Sequence, residues 1–177
     1  MKPQYIMIHH SGVSYEKNED QFYTNDNYHR AKWNFKSSMN HYLGYNYEIS
    51  KLGKIRQARK DGEKTAACYQ ADMNNGKCIH ICIDGHFDNE KPYPQQMYAL
   101  RDLLRELTEK HGINKNNILF HRDYAQTNCP GNNMDIVWIK SLVSKNSIKE
   151  ANKPTIDIKQ KIIKIINELR DLVNKIQ

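Results

Sequence analysis

Along the first 143 residues, short β-prone apolar runs alternate with polar loops and helix-like stretches. Tyr5-Ile6-Met7-Ile8 is an apolar run that ends at His9-His10-Ser11-Gly12, the pattern of a buried strand leading into a loop. From Asp26 to Phe35 the spacing is helical, with Tyr28, Ala31 and Phe35 on one side and Asp26 as the capping residue. Tyr45 to Ser50 alternates like a strand, Leu52-Gly53 makes a turn, and Lys54 to Ala58 returns as the second arm of a hairpin. Cys78 to Ile83 is another β-rich run, closed by Asp84-Gly85. Pro94 to Lys110 is the clearest helix, with Met97, Leu100, Leu103, Leu104 and Leu107 as its apolar stripe and Gly112 after its end. Asn117 to Phe120 reads as a last strand running straight into His121, and Met134 to Val143 as a helix. Strands and helices alternating around one sheet predict an α/β or α+β domain over residues 1–143.

The pattern changes after that. Residues 144–155 are rich in Ser, Lys, Asn and Pro and read as a linker. Over residues 156–177, Ile158, Ile162, Ile165, Leu169, Leu172 and Ile176 form a three-heptad apolar seam, widened by Ile166 and Val173. This predicts an amphipathic C-terminal helix. Self-association into a homo-oligomer and docking within the chain rank equally for it. Membrane contact ranks lower, because Asp157, Glu168 and Asp171 dilute its positive charge.

A length of 177 residues allows one domain with a proper core plus a short appendage. The mean hydropathy of -0.86 is that of a polar globular protein. No apolar run approaches the roughly 20 residues of a transmembrane helix, and the N-terminus lacks the apolar stretch and cleavage site of a signal peptide. Net charge is +7, and the eight Lys/Arg against four Asp/Glu after residue 142 supply more than half of it. No nucleic-acid motif accompanies the charge, so no nucleic-acid partner is expected. Without a signal peptide, Cys68, Cys78, Cys82 and Cys129 are read as reduced thiols or a metal ligand rather than two disulfides.

Three residues carry candidate chemistry. His9 and His121 each end a short apolar strand, and Cys129 follows His121 through a polar loop that closes in Cys129-Pro130-Gly131. Imidazole and thiolate are the ligands zinc prefers, and three protein ligands leave a fourth tetrahedral position for water. Spacing alone leaves a metal site and three unrelated residues equally open.

The blocks around them are more specific. Ile8-His9-His10-Ser11, Gly44-Tyr45-Asn46-Tyr47, His121-Arg122-Asp123 and Cys129-Pro130-Gly131 resemble the signature blocks of zinc-dependent N-acetylmuramoyl-L-alanine amidases. That family includes phage lysozyme-amidases and animal peptidoglycan recognition proteins. The blocks stand in the family's order, and the resemblance runs from about Tyr5 to Trp138. Asn27-Tyr28-His29-Arg30 is similar to the family's early helix, and Gly53-Lys54-Ile55 with Ala58-Arg59 to its hairpin. The resemblance implies a central mixed β-sheet flanked by helices.

It also implies roles. His9, His121 and Cys129 would be the zinc ligands. Tyr45 matches the active-site tyrosine, whose hydroxyl would stabilise charge developing in the transition state. Thr127 stands where some phage members carry lysine and animal amidases threonine, and would donate a hydrogen bond to the substrate carbonyl. His10 points to the opposite face from His9 if the strand stays extended, which suits a supporting or core role better than a ligand. With Gln70 it is also a candidate substrate contact. Gln70-Ala71 replaces a His-Ala pair common in the family, which leaves contacts there open. A second branch places a catalytic glutamate where Cys82 stands, so its absence points to the tyrosine-assisted branch. His80 on the Cys78–Ile83 strand and His86 after it could line the cleft, though a satisfied structural role is preferred for both.

The function implied is hydrolysis of the amide between N-acetylmuramic acid and L-alanine in peptidoglycan. A compact chain without a signal peptide resembles a phage endolysin, a bacteriolytic and hence antimicrobial enzyme held in the host cytoplasm until it reaches the cell wall. A bacterial recycling amidase is a second reading, and a peptidoglycan-binding or regulatory module that does not cleave is a third. Binding-only relatives usually lose the cysteine ligand, and this chain keeps it.

Overall fold

The computed structural model describes residues 1–14, 20–143 and 165–168. Met1–Val143 forms one unit and the chain beyond it a second. In the second, Ile165 to Glu168 form a turn of helix with Ile165 and Ile166 exposed. The rest of the heptad seam and the linker lie outside the described residues. Among the described residues, no helix is long and apolar enough to cross a membrane.

The first unit is built on five strands: β1 (Tyr5–His10), β2 (Tyr47–Ile49), β3 (Ile55–Gln57), β4 (Cys78–Ile83) and β5 (Ile118–Phe120). Their order across the sheet is β3-β2-β4-β1-β5. β1 runs parallel to both β4 and β5, β2 runs parallel to β4, and only β3 is antiparallel, as the return arm of the hairpin. The sheet is therefore mixed, with a parallel centre. α1 (Phe22–Trp33), α2 (Pro94–His111) and α3 (Ile136–Ser141) complete the unit.

Register divides the sheet into two different faces, because side chains alternate along each strand. Ile6, Ile8, Ile79, Ile81, Ile83, Tyr47, Ile49, Ile118 and Phe120 belong to one buried cluster with the stripe of α2, and Ile139 of α3 joins it. α2 sits where its pattern predicts. Pro94 opens it, Gly112 closes it at φ 68° with its N–H on Thr108 O, and Gln96 locks its start by accepting the Tyr93 N–H. The other face carries Met7, His9, Cys78, His80, Cys82 and Glu48, and only its lower part is apolar.

Two helices differ from the sequence reading. α1 begins at Phe22, four residues before Asp26, and ends at Trp33. Asp26 does not cap it: its carboxylate accepts the N–H groups of Tyr42 and Leu43 instead, pinning the following loop. The face α1 buries carries Phe22 and His29, while Tyr28 and Phe35 are exposed. This helix is polar almost all round, so its few apolar positions misplace the buried stripe. α3 is shorter than 134–143 because Asp135 caps it, accepting the N–H groups of Val137 and Trp138.

Candidate metal centre

Because β1 and β5 are parallel neighbours, their C-terminal ends lie side by side. His9 is the penultimate residue of β1, and His121 opens a 3-10 turn directly after β5. Their rings are brought to 4.5 Å between centroids, beyond the carboxyl ends of the strands where sites in such sheets form. Cys129 comes in from the loop after β5, with Sγ 3.8 Å from His9 Nδ1. One ligand atom from each of His9, His121 and Cys129 lies within 4.8 Å of the others. The first strand and a loop more than a hundred residues later thus meet at one point.

The cysteine loop is held by Arg122, a role the sequence did not reveal. Its backbone N–H donates to Cys129 O at 2.9 Å, and its guanidinium donates to Gly131 O at 3.0 Å and to Met134 O at 3.3 Å. Asp123 accepts the Phe120 N–H at 3.0 Å and fixes the turn that presents His121. Gly131 adopts φ +101°, and a Cβ there would stand 2.4 Å from the Phe87 carbonyl carbon. The His-Arg-Asp and Cys-Pro-Gly blocks are therefore two halves of one clamp.

The donor set fits zinc. Burial holds His9 well below the usual imidazole range, with the neighbouring His80 and His121 adding to the effect. Burial also lowers His121, whose buried Nε2 has no hydrogen-bond partner. Both rings are therefore neutral at pH 7, as ligands must be. Burial pushes the Cys129 thiol up to about 12, an effect that metal coordination reverses outright. Two neutral imidazoles and a thiolate are a three-ligand zinc set with one position to spare.

Tyr45 stands beside the cluster, its ring 5.1 Å from that of His9. Its phenol is raised well above the ordinary value, first by burial and then by the nearby Cys82 and Cys129, so it keeps its proton and remains a donor. Tyr45, Thr127 and His121 line a groove of about 1160 Å³ together with Trp33, Ala67 and Tyr69. A smaller cleft of about 460 Å³ meets it at Lys32, Trp33 and Tyr45. Thr127 Oγ1 accepts the Cys129 N–H at 3.2 Å, which leaves its own hydroxyl proton free to donate.

The two candidate substrate contacts lie off the groove floor. Gln70 follows the lining residue Tyr69 and donates to Tyr124 O at 3.3 Å. His10 lines neither cleft: its Nδ1 accepts the Phe87 N–H at 3.2 Å, on the face opposite His9. His86 packs edge-on against His10 at 5.5 Å, and His80 is buried directly behind His9.

A carboxyl does approach from one strand over. Glu48, Cys82 and His9 occupy one row across β2, β4 and β1. Glu48 takes the Asn25 amide at 3.0 Å, and the Asp84 carboxyl lies close enough to couple to it. Two carboxylates brought together in a buried site repel, so one keeps its proton. Burial raises both, Asp84 to about 7. A charge at an inward-facing strand position was the signal for Glu48, masked by the Tyr-rich run around it.

Residues 1–143 thus form a mixed-sheet α/β domain with a His-His-Cys cluster at the strand ends that could hold a metal ion. The chain belongs to the N-acetylmuramoyl-L-alanine amidase family, whose model matches residues 1–132. Among solved structures it is similar to the N-acetylmuramoyl-L-alanine amidase LysC from Clostridium intestinale. The two share 28% identity and a TM-score of 0.66, over 80% of this chain and 85% of that one. The Ph2119 endolysin from a Thermus scotoductus bacteriophage shares the fold at 18% identity and a TM-score of 0.64, over 82% of this chain and 87% of that one. Drosophila PGRP-LB does so at 23% identity and 0.61, over 74% and 76%. No curated protein matches.

Proposed function

We propose that this protein hydrolyses the amide between N-acetylmuramic acid and L-alanine in bacterial peptidoglycan, as a zinc enzyme of the endolysin type. The observation that carries this reading is the complete His9, His121 and Cys129 set at the end of a groove lined by Tyr45 and Thr127. A binding-only module has no use for a buried cysteine clamped beside two neutral imidazoles. Support also comes from the amidases of Clostridium intestinale, which share 28% identity over most of their length.

Zinc, held by His9, His121 and Cys129, would supply Lewis-acid polarisation and a water acidic enough to act at neutral pH. The chain's own groups do the rest. The groove, with the aromatic walls Trp33 and Tyr69, binds the chain on one side of the scissile amide and excludes solvent from one flank. Tyr45, kept protonated by burial, donates towards the carbonyl oxygen as it gains negative charge. Thr127, which lines the same groove, offers a second donor. Water adds its oxygen to the carbonyl carbon as the C–N bond breaks, which leaves a muramic acid carboxyl, and the water's proton goes to the alanine amine.

The test is digestion of purified sacculi by protein whose zinc content is measured. New L-alanine N-termini, without new reducing sugar ends, are the expected products. Sacculi left intact by protein carrying one zinc per chain would overturn the amidase reading in favour of a binding module.

A further inference from the structure

Behind the metal ligands lies a histidine whose hydrogen bonds have only one consistent arrangement. His80 is fully buried on β4, two residues before Cys82 and on the same face of the sheet as His9. Its Nε2 lies 3.0 Å from the carbonyl oxygen of Met73. A carbonyl can only accept, so this nitrogen carries a proton. In a neutral ring the other nitrogen, Nδ1, is then a bare acceptor. That Nδ1 lies 2.9 Å from His9 Nε2, buried on both sides. The proton between them belongs to His9, and His9 Nδ1 is left with a free lone pair on the side of Cys129 Sγ.

We propose that His80 is a positioning residue for the metal centre: it takes the Nε2 proton of His9, fixing the tautomer and ring angle that present Nδ1 to the metal. The inference rests on the zinc reading above and adds to it a residue outside the ligand set. A ligand histidine ordinarily gives its second N–H to a carboxylate, carbonyl or water. Here a second imidazole fills that place and passes the hydrogen bond on to the backbone. The far end of this relay is not inert. Met73 precedes Asn74, whose side chain accepts the N–H groups of Ala67 and Cys68 and the Thr65 hydroxyl. Ala67, Cys68 and Asn74 all line the groove. His9 and the groove wall are therefore braced by two sets of hydrogen bonds joined through the Met73–Asn74 peptide.

The experiment uses the full chain with His80→Phe, which fills the space but accepts nothing, and His80→Gln, which can both accept and donate. Zinc affinity is measured by competition with a chromophoric chelator, and the His9 tautomer by nitrogen-15 NMR on metal-free protein. The unaltered chain is expected to carry the His9 proton on Nε2. His80→Phe is expected to mix the two tautomers and to weaken zinc binding about ten- to a hundredfold, with His80→Gln recovering most of the loss. Wild-type zinc affinity in a folded His80→Phe protein would overturn the proposal. If that variant does not fold, the unaltered chain still decides: a His9 proton found on Nδ1 overturns it as well. Failure of the unaltered chain to bind zinc would remove the metal centre itself, a result distinct from the tautomer reading.

Discussion

The two faces of the sheet are built from the same strands and do opposite work. Towards α2, isoleucines from four strands meet a leucine stripe, and nearly every side chain is fully buried. Towards the site, the alternate positions of β1, β4 and β2 bury His9, His80, Cys82 and Glu48, and His9, His80 and Glu48 are each tied to a named partner. Burial stabilises the first face directly, at about 25 cal/mol per Å² of apolar surface removed from water. On the second face burial opposes the ionised forms, which keeps the imidazoles neutral and Tyr45 protonated. One face supplies the rigidity that the other needs to hold reactive groups in place.

Cys129→Ser is expected to separate the two faces most sharply. It removes a thiolate ligand but no core contact, so zinc content should fall below one per chain and activity by at least about a thousandfold, equivalent to several kcal/mol. Thermal unfolding of the metal-free protein should stay close to the unaltered chain. A variant that binds zinc stoichiometrically and cuts sacculi at the normal rate would remove Cys129 from the site. Leu104→Ala is the opposite cut. Leu104 is fully buried under the sheet, and its truncation should cost about 3 kcal/mol by chemical denaturation, within the 2–5 kcal/mol typical of such cavities. Zinc affinity of the folded fraction should not change, because no ligand touches α2.

The apolar face was also the legible one. A 3.6-residue stripe announces α2 almost to the residue, and β1, β4 and β5 stand where their short apolar runs predict. α1 was misplaced because its buried residues, Phe22 and His29, are few and its polar side chains serve other segments. The site face follows another logic. His9, His121, Cys129 and Tyr45 were legible through the blocks that surround them. His80, Glu48 and Arg122 were not, since their roles depend on which strand lies next to which. That neighbour relation is set by sheet order, and no local spacing encodes it.

Tyr45→Phe probes the site face without touching a ligand. The substitution keeps the ring beside His9 and deletes the one hydroxyl, so zinc content should be unchanged. Turnover on sacculi should drop about a hundredfold, or about 2.7 kcal/mol, the usual effect of losing one donor to a developing oxyanion. Equal turnover would leave Thr127 and the metal as the stabilising groups.

A pH-dependent comparison remains at the Glu48–Asp84 pair, where the site face meets α1. Both carboxyls are raised in the folded protein, Asp84 to about 7, against an unfolded value near 4. A raised carboxyl binds its proton more tightly when folded, so its contribution to stability is complete below pH 4. It is lost as pH rises through 4 towards 7. Stability of the unaltered chain should therefore decline over that window, by at most about 1.4 kcal/mol per pH unit for each proton involved. Glu48→Gln keeps a hydrogen-bonding group beside Asp84 and Asn25 but cannot ionise. It should flatten the decline while leaving stability at pH 4 nearly unchanged. Denaturant melts across pH 4 to 8 make the comparison, and an identical slope in both proteins would show that the two carboxyls do not share a proton.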